Sequence, residues 1–153
     1  MRSIVAVLLT LVAGIGFAAD TPPAMQPPND AVHMHAGAAK AADIGTVKVP
    51  KATGPNARTV AEIVAKGTEL KDKPVVVRGK VVKYTPDVMG KNWVHLRDGS
   101  GSASDGTNDV LVTTTDETKI GDVVLARGTV RTDVNLGSGY AYKVLVEEAK
   151  LQK

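Results

Sequence analysis

The hydrophobic positions fall into three regimes along the chain. Residues 4–15 form an apolar run interrupted only by Thr10, residues 20–56 show no lasting period, and the remainder alternates in short blocks. Within the last regime, ARTVAEIVAKGTEL (57–70) places Val60, Ile63 and Val64 at helical spacing. Thr59 and Glu62 stand at the positions of a capping box, in which each side chain accepts from a free amide of the first turn. A short helix is predicted here, ended by Gly67. The period then changes from helical to alternating. KPVVVRGKVVKY, NWVHLRD, NDVLVTTT, GDVVLARGTVRTDV and YAYKVLVEEAKL read as five strands, separated by turn-forming Gly, Asp, Asn, Pro and Ser. The first and fourth strands are long, and each is interrupted by a central glycine, Gly79 and Gly128. Glycine inside a strong strand marks a bulge, a bend or a close backbone approach.

The opening regimes set the domain organisation. Arg2, the apolar run and the small residues around Ala18 and Ala19 have the pattern of a secretory signal over residues 1–19. The run is shorter than the roughly 20 residues a spanning helix needs, so no stable membrane anchor is expected. Periplasmic or secreted localisation follows. Residues 20–56 are rich in Pro, Ala and small polar residues and read as a disordered linker that buries little. The folded domain is expected over residues 57–153, enough for one small core.

Composition removes several functions. The chain has no Cys, which excludes disulfides, thiolate metal sites and Cys nucleophiles. Loss of residues 1–19 would take away only Arg2 and lower the formal net charge from +3 to +2, with the remaining charges scattered. A dedicated nucleic-acid binder carries a denser basic patch. No phosphate loop, nucleophile elbow or zinc-protease helix occurs, so the domain reads as non-catalytic. Asp87, Asp98, Asp105 and Asp109 cannot be paired into an acid–base couple from spacing alone.

Two glycine-bent long strands among five predict an all-β, five-stranded OB-fold-like Greek-key barrel with a short N-terminal helix. The segments VVVRGKVVKY and GKNWVHLRDGSG, followed by GDVVLARGTV, resemble the OB-fold of the anticodon-binding type found in class II aminoacyl-tRNA synthetases and related nucleic-acid-binding proteins. The resemblance spans about residues 73–146 and implies a ligand face across the second and third strands. That face is bounded by the loops Thr85–Lys91 and Asp133–Gly139. On it the resemblance implies an aromatic, Trp93, that stacks on a flat ring. Strand parity directs Val94 and Leu96 to the core, and Trp93, His95 and Arg97 to the opposite face. Lys80, Lys83, Tyr84, Lys91 and Arg131 complete the expected ligand-binding face. Asp98, Gly99, Ser100 and Gly101 are expected to build a turn, with Asp98 accepting from turn amides.

An exported chain does not meet cytosolic tRNA, so an envelope protein or a small ligand is the expected partner, with nucleic acid a lesser candidate. A second reading uses metal. His33, Met34 and His35 in the linker, and Met89 with Trp93 and His95, supply the imidazole and thioether donors that suit Cu(I) or Ag(I). On that reading the protein would bind or deliver the metal in the periplasm. On the first reading no cofactor is needed.

Overall fold

The computed structural model describes residues 45–137 and 139–153. The chain is mostly β. Strand β1 (Ala57–Arg58) leads into helices α1 (Val60–Ala65) and α2 (Gly67–Leu70). Five longer strands follow: β2 (Pro74–Val88), β3 (Lys91–Arg97), β4 (Val110–Thr114), β5 (Val123–Gly137) and β6 (Tyr140–Gln152). The five strands expected from alternation are present, and the sheet gains a sixth in the two-residue β1.

The sheet runs in the order β1-β2-β3-β4-β6-β5, and a further β2–β5 pairing closes it into a ring. All the ring contacts are antiparallel except β4–β6, which is parallel. Closure is possible because β2 serves two partners. Its first half, Pro74 to Lys80, pairs with β5, and its second half, Lys80 to Val88, pairs with β3. Gly79 stands just before this handover, where a Cβ would lie 3.1 Å from the Leu96 side chain. Gly128 meets a tighter limit. A Cβ there would approach the Glu147 carbonyl to 2.7 Å, beside the register shift between β5 and β6.

The ring encloses one apolar core. Val75, Val77, Val81, Val94, Leu96, Val112, Val124, Val130 and Val146 point inward, and Val60, Ile63 and Leu70 close one end. Full burial of Val60 and Ile63 contributes about 1.5–3 kcal/mol each, which holds a helix pair too short to persist alone. The capping box forms as expected between Thr59 and Glu62. Gly67, however, does not end the helical segment. It opens α2 and is buried, because a Cβ would stand 2.3 Å from a Val144 methyl. Close packing against β6, and not chain termination, accounts for that glycine.

The LRDGSG turn has a purpose beyond its own geometry. The Asp98 carboxylate accepts from Ser100 N and Oγ, and also from Val60 N, the first amide of α1. Ser100 Oγ accepts from Ala61 N, and Thr59 Oγ1 from Glu62 N. Three successive free amides of the helix are thereby satisfied, two of them from the end of β3. Gly99 has φ +91, and a Cβ would fall 2.2 Å from the Val47 carbonyl. That contact brings in the segment before β1. Val49 N donates to the Asp98 carbonyl, and Lys51 pairs with Glu62. The described end of the expected linker therefore lies against the turn and the helix.

Candidate functional site

The outward face of β2, β3 and β4 carries the chemistry, and a bulge decides which residues stand on it. The β2–β3 register advances by one extra residue between Val81 and Lys83. Val81 and Tyr84 consequently pair with Leu96 and Val94, whereas Lys83 and Thr85 pair with His95 and Trp93. Lys83 moves outward, and Tyr84 turns in to pack on the main core. Tyr84 is thus removed from the expected ligand face, since simple alternation cannot register the extra residue.

Trp93 is on the outward face, as parity requires, but it is not open. It is buried with Leu111 and Leu145 in a second apolar cluster, flanked by Val134, Leu136 and Tyr142 from the far end of the β5–β6 hairpin. The Tyr142 ring lies 5.5 Å from it, centroid to centroid, at a tilt of 35°. The indole N–H donates to the Val88 carbonyl at 2.9 Å. Trp93 therefore ties the end of the β2–β3 hairpin to the end of the β5–β6 hairpin. The space in which the resemblance placed a stacked ring is filled by the protein's own side chains. Burial also pushes the Tyr142 hydroxyl up, with the neighbouring Tyr140 acting in the same direction.

Beside this cluster stands a polar group organised by Asp109. Leu96 pairs with Val110, so the next outward positions, Arg97 and Asp109, come together. Asp109 Oδ2 accepts from Arg97 Nε at 3.0 Å, and Oδ1 lies 2.6 Å from His95 Nδ1. Burial alone would raise the Asp109 pKa. The hydrogen bonds and charges of His95 and Arg97 outweigh it and hold the carboxyl below the usual range. An ionised carboxylate only accepts, so His95 Nδ1 carries a proton. Lys83, on the rung of His95, makes no ion pair with a described residue. Its pKa is lowered by burial, an effect the Asp109 charge partly offsets. Lys80 stands opposite Arg97. The bond to Asp109 uses Nε only and leaves both Arg97 Nη groups for another acceptor. Lys83, Arg97 and His95 thus stand around a single carboxylate.

Lys91 and Arg131 do not join this group. Both bind Glu147, at 3.1 Å each, and Arg131 also reaches Asp72. Hydrogen bonds from Lys91 and Arg131 hold the Glu147 carboxyl below its usual range against the effect of burial. These two cations are committed to a structural network at the other side of the Trp93 cluster.

Of the proposed metal donors, His33, Met34 and His35 lie outside the described residues. Met89 is 69% exposed in a left-handed turn after β2. The fold offers it no open Trp face, because Trp93 packs on Tyr142, and His95 Nδ1 is engaged by Asp109. No group of three His, Asp or Glu side chains placed to hold a metal occurs among the described residues.

Asp109 is the site residue that strand parity alone missed. The signal was present in its odd-numbered alternation with Leu111 and Thr113, but using it requires the β3–β4 register. No protein-family model matches the chain, and no curated protein matches it.

Proposed function

We propose that the domain is an exported, non-catalytic binding module of the OB type, working in the periplasm or outside the cell on a partner protein or small ligand. The strand order β2-β3-β4-β6-β5 with return to β2, and the one parallel pair, support a five-stranded OB barrel to which β1 is an addition. The observation that carries the binding reading is the Asp109-centred group. Lys83 bears a half-buried charge with no carboxylate of its own, and Arg97 is held in place through one edge. Such a preorganised surplus of positive charge suits one anionic group, a carboxylate or phosphate.

A long nucleic-acid strand fits less well. The aromatic that would stack on bases is enclosed, and base-reading modules depend on exposed rings. A short acidic segment of an envelope protein needs only the charge. Trp93 is the single Trp of the chain and reports on the adjoining cluster without a label. Titration with inorganic phosphate, an acidic peptide and a single-stranded oligonucleotide should give a saturable fluorescence change with one of the first two. Arg97→Ala should weaken it about tenfold, the loss of one charge-assisted contact. A response from none of the three probes, or one unaltered in Arg97→Ala and Lys83→Ala, would remove this reading.

A further inference from the structure

A second outward face, made by β2 and β5, is basic for a different reason. Strand register places Lys80 opposite Val123, Arg78 opposite Leu125, and Val76 opposite Arg127. Each rung therefore joins one cation to one aliphatic side chain, with Lys80 and Arg78 on β2 and Arg127 on β5. Arg78 and Arg127 are exposed, and Val123 is 39% exposed. None of Arg78, Lys80 and Arg127 forms an ion pair among the described residues. Several acids elsewhere on the domain are already paired. Asp122 binds Lys153, Asp116 binds Lys150, and Glu147 binds Lys91 and Arg131.

We infer that this face is a docking surface for anionic lipid headgroups, against which the domain lies without crossing the bilayer. As the outside of a closed ring it is convex, so it offers no groove to an extended peptide. It carries no aromatic side chain on these rungs, which removes the stacking contacts of single-stranded nucleic acid and the usual anchors of a specific protein interface. A headgroup layer asks for less. Spread cations are attracted by its negative surface potential, and short aliphatics between them settle at the headgroup boundary. No helix among the described residues is long and apolar enough to span a membrane, consistent with attachment at the surface. Lys80 borders the Asp109 group across the ladder from Arg97, and attachment rests on Arg78, Arg127 and the aliphatic side chains beside them.

Co-sedimentation of the full chain with vesicles tests the assignment. Vesicles of phosphatidylcholine with phosphatidylglycerol should bind it at low salt and release it at high salt. Arg78→Gln with Arg127→Gln should weaken binding about 25-fold, roughly fivefold for each cation removed. Arg78→Glu with Arg127→Glu should abolish it, and Lys66→Glu, at an exposed lysine at the end of α1, should leave it unchanged. Both arginines are exposed, and an unchanged thermal midpoint in the glutamine pair separates lost binding from lost folding. Equal binding to pure phosphatidylcholine would assign the attachment to the apolar run at residues 4–15 and overturn the inference. So would unaltered binding of the double variants, or tighter capture of an oligonucleotide or an acidic peptide by the same arginines.

Discussion

Two aspartates govern this domain at the scale of single residues, and they do so in opposite ways. Asp98 is buried and structural. It joins the end of β3 to the start of α1 through acceptors that no apolar residue could replace. Asp98→Ala leaves the Val60 and Ser100 amides without their partner and should cost about 2–4 kcal/mol, read as a lower urea midpoint. Asp109 organises the basic group, and its influence depends on pH. Its pKa is depressed in the folded state, so its contribution is complete above the ordinary carboxylate range and is lost as pH falls through the depressed value. The stability advantage of the native chain over Asp109→Asn should be about 2 kcal/mol near neutrality and should shrink below about pH 4. An advantage that stayed constant with pH would show that Asp109 acts through packing alone. Lys83 gives the complementary case. Burial of its charge disfavours the folded state, so Lys83→Met should hold or raise the thermal midpoint while weakening anion binding.

At the scale of elements, irregularities place the side chains. One extra residue in β2 turns Tyr84 inward and Lys83 outward, and a second irregularity in β6, near Glu148 with φ +52, lets that strand pair with both β4 and β5. Removing Val82 takes out the residue with no partner in the β2–β3 ladder, so simple alternation then gives the same faces, with Lys83 opposite His95 and Tyr84 opposite Val94. That variant is expected to keep the Trp93–Val88 bond, and a redshifted Trp emission would contradict this placement of the bulge. The helix pair shows a related conflict between local and global preference. Gly67→Ala gains about 1 kcal/mol of helix propensity but drives a methyl into Val144. Overpacking costs about 1–3 kcal/mol, so the net effect should be a modest loss in the urea midpoint.

For the molecule as a whole, packed contacts continue upstream of its first strand. Residues 47–51 contact the DGSG turn and Glu62, and the Asn56 carbonyl accepts from Val76 N. A chain begun at residue 57 loses these contacts, and one begun at residue 45 keeps them. The shorter form should be less stable by about 1–2 kcal/mol, one hydrogen bond to the turn and one to β2, seen as a lower thermal midpoint. Equal midpoints would leave the boundary at residue 57. The sequence pattern does not show these contacts, because the segment is held by backbone and turn contacts, which leave no hydrophobic period to read.

The alternating blocks were enough, by themselves, to determine the mostly β character, the five long strands and the capped helix. Each of these depends on neighbours a few residues apart, and so does the parity that put Trp93, His95 and Arg97 on one face. What became of that face was decided only by the tertiary structure. Trp93 was enclosed by residues from β4, β5 and β6, Tyr84 was turned over by a bulge, and Asp109 was joined to His95 and Arg97 across a strand pair. A local period records which way a side chain leaves its strand. It carries no information on which distant strand arrives to cover or pair with it, and here that arrival separates a buried ring from a usable charge.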